Sequence, residues 1–204
     1  MRYDVKRFTS LEVCLKELEP FIRSGEHLQT GKPFGRFGGL RSRELLANWL
    51  LCVAVNHALQ EDRFTFTSDP LGGDGVIYDN ATEETYRTEH VLVPSARGGG
   101  TQGAEELVLD AIKLKQGKGG KAYASGKTLV VLLDAAAGKW HPTKLAQRLP
   151  GTDFEAVWVV GLQGVEDGEY VYGVTRLDSS HGHAPVWLVR ISKDFDGWTV
   201  EPVQ

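Results

Sequence analysis

Residues 64–93 read FTFTSDPLGGDGVIYDNATEETYRTEHVLV, and this stretch decides the fold. Residues 64–67 alternate apolar and polar side chains, which is typical of a half-buried strand. Residues 75–79 and 85–93 predict two further strands, separated by residues with turn-forming side chains. The chain therefore changes here from the helical spacing of the preceding segment to a strand block.

The loop between the second and third of these strands sets their register. If residues 80–83 form a four-residue loop, Asp79 pairs with Glu84, and Asp74 falls directly opposite Glu89. Directly opposed side chains share one face of a hairpin, with Cβ atoms about 4.5–5.5 Å apart. A loop that is longer or shorter by one residue would shift this pairing.

Two carboxylates at that spacing indicate a candidate cation site. Asp74 and Glu89 would repel each other unless a cation lies between them or one of them is protonated. Two carboxylates on neighbouring strands commonly hold Mg²⁺ or Mn²⁺ for phosphodiester cleavage. The alternative is that Asp74, like Asp69 and Asp79, only stabilises a turn.

The remaining pattern predicts a mixed α/β (α+β) chain with one domain spanning residues 1–204. This domain divides into an N-terminal helical part (about 1–60), an α/β core (about 61–162) and a β tail (about 163–204). A capping box at Thr9, with Phe8 packed on Val13, predicts the start of the first helix. Helices are expected at about 9–23 (disturbed near Pro20), 40–60, 103–117 and 142–149; further strands are expected at 128–134, 154–162 and near 169–177, 186–191 and 198–202.

The order of helix, strand with Asp74, strand with Glu89, helix and apolar strand resembles the PD-(D/E)XK nuclease superfamily over roughly residues 40–135. This resemblance implies a restriction-endonuclease-like central sheet flanked by helices. It also implies that Asp74 and Glu89 are catalytic residues that bind Mg²⁺ or Mn²⁺, and that Glu44 is a further metal ligand.

The lysine that this family places two residues after the glutamate is absent, because Val91 occupies that position. Some members of such families supply the lysine from the following helix. Lys115 lies on the apolar face of that helix, one turn after Ala111, and would be the third catalytic residue. The alternative is that Lys115 extends past the apolar stripe to solvent.

Charge is distributed unevenly along this chain of net charge -4, because residues 111–148 are strongly basic. A local positive patch can attract phosphate groups. The expected nucleic-acid-binding residues in this block are Lys113, Lys118, Lys121 and Lys127. The alternative is a solvated, lysine-rich surface.

Apolar runs, the N-terminal residues and the cysteines indicate the expected compartment of the protein. No apolar run approaches the length that spans a bilayer, and the N-terminus lacks a signal peptide, so the expected compartment is the cytoplasm. Cys14 and Cys52 occur in helical apolar patterns and are expected to be buried free thiols.

Three functions stay open at this level. The first is a metal-dependent nuclease that acts on nucleic acid, with DNA favoured over RNA. The second is a non-catalytic module of the same fold that binds nucleic acid or protein in a mobile-element or defence complex. The third is a small-molecule enzyme of unrelated fold. A homodimer could form through exposed edges of the tail strands.

Overall fold

The computed structural model describes residues 8–24, 33–94, 103–134 and 140–204. Five α-helices lie in these ranges: α1 (Leu11–Arg23), α2 (Ser42–Leu59), α3 (Ala104–Gly117), α4 (Gly120–Ala124) and α5 (Pro142–Arg148). Eight strands accompany them: β1 (Phe64–Thr67), β2 (Val76–Asp79), β3 (Glu84–Val93), β4 (Lys127–Leu133), β5 (Ala156–Glu166), β6 (Glu169–Leu177), β7 (Val186–Ile191) and β8 (Trp198–Pro202). The mixed α/β prediction is confirmed.

All eight strands form one sheet in which neighbours in sequence are also neighbours in space, from β1 to β8. The β3–β4 and β4–β5 pairs are parallel, and the other pairs are antiparallel. The two parallel connections pass through helices, as parallel strands require. The tail strands therefore continue the main sheet.

The helices cover both faces of this sheet and create two apolar cores. Helices α1 and α2 pack on one face against residues such as Val130 and Trp158. Helices α3 and α5 pack on the other face against alternating residues such as Leu129 and Val131. Because successive side chains in a strand point to opposite faces, β4 and β5 are apolar along nearly their whole length.

The beginning of α1 differs from the capping-box prediction. Ser10 is the N-cap and accepts a hydrogen bond from the Val13 backbone N–H, so the expected cap at Thr9 is wrong by one residue. Phe8 stacks on Tyr78 with ring centroids 4.2 Å apart, and Val13 is half exposed. Both Thr and Ser are good N-cap residues and they are adjacent here, so tertiary contacts decide which of them caps α1.

The observed ends of other helices and strands differ slightly from the predicted ones. Helix α1 continues through Pro20 to Arg23, because the buried Leu18 and Ile22 hold its last turns against the core. The predicted strand at 154–162 begins at Ala156 and extends to Glu166. The sequence patterns missed α4 altogether.

The structure bears on two expectations from the sequence, the state of the cysteines and the lack of a membrane-spanning segment. Cys14 and Cys52 are buried and free, which confirms that prediction. Across the described ranges, no helix combines the length and apolar character needed to cross a membrane.

Candidate active site

The β2–β3 hairpin has the register that the four-residue loop predicts. Asp79 pairs with Glu84, and the pairing continues to Val76 opposite Arg87. Beyond the end of β2, the Thr88 N–H donates to the Gly75 carbonyl at 2.8 Å. Asp74 thus precedes the strand and lies beside β3.

A direct hydrogen bond fixes the Asp74 side chain on β3. Asp74 Oδ2 accepts the backbone N–H of His90 at 2.7 Å. The Asp74 side chain is 29% exposed, whereas that of Glu89 is 11% exposed. Solvent therefore reaches this pair of acids mainly on the Asp74 side.

Buried polar groups also hold the Asp74 backbone. Asn48 of α2 donates from Nδ2 to the Asp74 carbonyl at 3.2 Å, and its Oδ1 accepts the Thr88 hydroxyl at 3.0 Å. Gly75 adopts a φ of 144°, and a Cβ there would lie 2.3 Å from Asn48 Nδ2. Glycine at this position therefore allows α2 to approach and position the acid.

Lys115 lies between the two acids. Its Nζ is 3.2 Å from Glu89 Oε2 and 3.8 Å from Asp74 Oδ2. The residue is only 8% exposed, whereas Lys113 on the same helix is exposed. Helical spacing places Lys115 on the same buried face of α3 as Val108 and Ile112. The structure thus brings together the three residues that the sequence selected as catalytic.

Lys127 and Tyr123 complete the cluster, and sequence reasoning missed both roles. Lys127 was expected on a nucleic-acid-binding surface, but its Nζ donates to Glu89 Oε1 at 2.8 Å. Tyr123 on α4 donates its hydroxyl to Glu89 Oε2, and the Lys127 Nζ lies 4.2 Å from the centre of its ring. The parallel pairing of β3 with β4 aligns Arg87 with Lys127 and puts Glu89 and Lys127 on one face, and no short turn in the sequence sets this register.

The surrounding cations keep Glu89 ionised. Burial alone would raise the pKa of Glu89, but hydrogen bonds from Lys127 and Tyr123 and the charge of Lys115 outweigh it and lower the pKa to about 2. Burial and the bond to Glu89 raise the pKa of Tyr123, so its hydroxyl stays a donor. Two carboxylates and two ammonium groups give the cluster no net charge.

His90 lies on the opposite face of β3 from Glu89, as the alternation of the strand predicts. Its side chain is buried, and neither ring nitrogen has a hydrogen-bond partner among the described residues. Burial lowers the pKa of His90 to about 4, so the ring is neutral near pH 7. Its backbone N–H holds Asp74, and its Nδ1 lies 4.0 Å from Asp74 Oδ2.

Glu44 lies at the first turn of α2 and is buried. Its Oε2 accepts the backbone N–H of Arg41 at 2.9 Å, which caps the helix. Burial raises the pKa of Glu44, and the nearby charge of Asp74 raises it further. Glu44 is thus an electrostatic neighbour of Asp74 that already has a structural partner.

The donor set limits what kind of cation could bind. Within the described ranges, no three side chains of His, Cys, Asp or Glu converge as a metal site. Mg²⁺ is usually held by one or two carboxylates together with waters and substrate phosphate oxygens. Asp74 and Glu89 supply the two carboxylates of such an open site, and a cation on Glu89 would replace one of the hydrogen bonds that its two oxygens accept from Tyr123 and Lys127.

The other aspartates of the hairpin region have structural partners. Asp79 is fully buried and accepts two hydrogen bonds from Arg63, both at 2.6 Å, and others from the turn that follows. Asp69 is buried beside Arg87, with Nε to Oδ2 at 2.8 Å. The turn-stabilising alternative therefore describes Asp69 and Asp79, and the lysine cluster distinguishes Asp74 from them.

The rest of the expected basic surface lies outside the cluster. Lys113, Lys118 and Lys121 are exposed on α3, the turn after it and α4. Their positions leave them accessible to an anionic partner.

Comparisons with known proteins give no family for this chain. No protein-family model matches it, and searches of curated proteins and of solved structures found no match.

Proposed function

We propose that this protein is a metal-dependent nuclease that hydrolyses phosphodiester bonds in nucleic acid. The observation that carries the proposal is the buried ammonium of Lys115, within 4 Å of both Asp74 and Glu89. Lysine is seldom buried unless paired, and here it comes from a helix that packs across the carboxylate hairpin.

The order of elements supports the same class. Helix α2, the antiparallel strands β1 to β3, the crossover helix α3 and the parallel strand β4 follow one another as in the core that the PD-(D/E)XK resemblance implies. In this proposal, Lys115 replaces the lysine that Val91 does not supply. We propose a restriction-endonuclease-like core on that basis.

Each side chain of the cluster has a role in the proposed reaction. Asp74 and Glu89 would hold a divalent cation, which would polarise the phosphate and lower the pKa of an attacking water. Lys115 would donate a hydrogen bond to that water or to a phosphate oxygen, because its ammonium lies between the two acids. Lys127 and Tyr123 keep Glu89 ionised and fixed in orientation.

The charges of the cluster favour phosphate binding only when a divalent cation is bound as well. The two acids and two lysines cancel, so the cluster itself has little net attraction for a phosphodiester. A divalent cation adds two positive charges and makes the site complementary to phosphate. Exposed Lys113, Lys118 and Lys121 could contact the backbone beyond the scissile bond.

A second candidate is a non-catalytic module of the same fold that binds nucleic acid or protein. Its supporting observation is that both oxygens of Glu89 already accept hydrogen bonds, so a metal would have to displace Lys127 or Tyr123 as a partner. In that case the cluster is a structural ion network, and the exposed lysines are the contact surface.

Cleavage assays with matched variants separate these candidates. Double-stranded DNA, single-stranded DNA and RNA would be incubated with Mg²⁺ or Mn²⁺, with EDTA as the metal-free control. We expect metal-dependent cleavage that falls at least about a hundredfold in Lys115→Met, because a charge-stabilising donor is lost. The control Lys193→Met changes an exposed lysine in the turn between β7 and β8, outside the expected basic surface, and should retain cleavage. Metal-independent binding with no cleavage of any substrate would contradict the nuclease and favour the module.

A further inference from the structure

An apolar groove lies on the face of the sheet opposite the carboxylate–lysine cluster. It has a volume of about 410 Å³ and runs between the C-terminal half of α2 and the strands. This volume falls within the usual range of small-molecule sites, about 300–1,000 Å³. Its lining includes Thr128, which points to the α2 side of β4 while its neighbour Lys127 points to the other side. The groove is thus separate from the proposed nuclease site.

Aromatic side chains form the walls of this groove. Trp158 and Trp187 lie together on one side, with ring centroids 5.9 Å apart and an interplanar angle of 30°. Phe64 and Tyr86 lie on another side, with centroids 6.3 Å apart. Large, rigid aromatic walls favour an apolar body that inserts between them.

Arg176 supplies the charge of the groove. It is exposed, it pairs with Trp158 across β5 and β6, and it is the one charged residue that lines the groove in the part of the chain that the structure describes. Among the described residues, no acidic side chain forms an ion pair with Arg176, whereas Arg190 on the adjacent strand pairs with Glu166 at 2.6 Å. An arginine without an acidic partner at the edge of an apolar groove is complementary to a ligand anion.

We propose that this groove binds a small amphipathic carboxylic acid. The apolar body of the ligand lies between the tryptophan pair and the Phe64–Tyr86 pair, and its carboxylate forms a bidentate contact with Arg176. The Thr128 hydroxyl is available as a second polar contact in the groove. The charge complementarity of Arg176 selects the acid over a neutral or cationic molecule of the same shape.

Calorimetric titration of the full chain tests this proposal with octanoate, 1-octanol and octylammonium as probes. We expect saturable octanoate binding at one site, with 1-octanol and octylammonium at least about tenfold weaker, because each lacks the carboxylate. Arg176→Gln should weaken octanoate binding by a similar factor and leave 1-octanol unchanged. Arg190→Gln is the matched control and should bind octanoate like the wild type.

A second variant tests the groove itself. Ala58 is an exposed residue of α2 that lines the groove, so Ala58→Phe should fill it and abolish octanoate binding without unfolding the chain. Thermal unfolding would verify that each variant is folded. Absence of saturable octanoate binding, equal affinity for octylammonium, or unchanged affinity in Arg176→Gln would each overturn the proposal. Self-association of the wild type that Ala58→Phe abolishes would instead assign the groove to a second copy of the chain.

Discussion

Replacing Glu89 with glutamine removes a carboxylate that contacts two lysines at once. Glu89 lies 3.2 Å from the Nζ of Lys115 and 2.8 Å from that of Lys127. At an effective dielectric constant of about 20, Coulomb's law gives attractions of about 5 and 6 kcal/mol for these pairs. Desolvation of the buried ions offsets several kcal/mol of this attraction. We therefore expect Glu89→Gln to lower the free energy of unfolding by about 3–5 kcal/mol, because the buried Lys115 and the partly buried Lys127 both lose their nearest carboxylate.

A double-mutant cycle isolates the Lys115 contribution. Lys115→Met alone should cost about 1–3 kcal/mol, since Glu89 retains its bonds from Lys127 and Tyr123. The double variant should lose at least about 1 kcal/mol less than the sum of the single losses, as expected for residues in contact. Urea unfolding followed by tryptophan fluorescence measures all three, with Lys113→Met as an exposed control that stays within about 0.5 kcal/mol of the wild type. Additive losses, or a Glu89→Gln variant as stable as the wild type, would refute the described cluster.

Three further predictions concern the scaffold. Hydrogen bonds from Arg63 hold the pKa of Asp79 well below its usual range, so its contribution to stability is complete above about pH 4, the ordinary value for Asp, and is lost as the pH falls. Urea unfolding across acid pH should therefore show a shallower loss in Asp79→Asn than in the wild type, and parallel curves would contradict the pairing. Gly75→Ala should lower the free energy of unfolding by about 2 kcal/mol or more, because alanine is strained at a φ of 144° and its methyl group would lie 2.3 Å from the Asn48 Nδ2 of α2. A neutral effect would contradict that packing. Cys14 and Cys52 should react with a thiol reagent only after denaturation, since burial raises the pKa of both thiols, and rapid labelling of the native protein would contradict their burial.

The sequence was sufficient for the hairpin register because local turn geometry determines it. Counting outward from the four-residue loop places Asp74 opposite Glu89, and alternation puts His90 on the other face. Helical spacing likewise places Lys115 on the buried face of α3. These inferences depend on contacts within one element or one hairpin.

The roles of Lys127 and Tyr123 depend on contacts between distant elements. The parallel register of β4 on β3 is not set by a short turn, so no count along the sequence aligns Lys127 with Arg87. Helix α4 has only five residues, and its N-cap Gly119 and first residue Gly120 are both glycines, so its propensity signal is weak. Without α4, Tyr123 cannot be placed beside Glu89.

The metal ligands predicted from the sequence also depend on contacts that the sequence does not specify. The sequence grouped Glu44 with Asp74 and Glu89 on the basis of family resemblance, and it indicated neither the bond of Glu44 to the Arg41 N–H nor the bonds to both oxygens of Glu89. Sequence spacing indicates which acids lie on nearby elements, whereas the hydrogen bonds of the fold decide which oxygens remain available.

The most direct test is the metal dependence of nucleic-acid cleavage by the wild type and by Lys115→Met, with the exposed Lys193→Met in parallel. We expect cleavage by the wild type and by Lys193→Met that requires Mg²⁺ or Mn²⁺ and is lost in folded Lys115→Met. Equal cleavage by both lysine variants, or a folded wild type that binds nucleic acid and never cleaves it, would contradict the assignment of Lys115, Asp74 and Glu89 as a catalytic site.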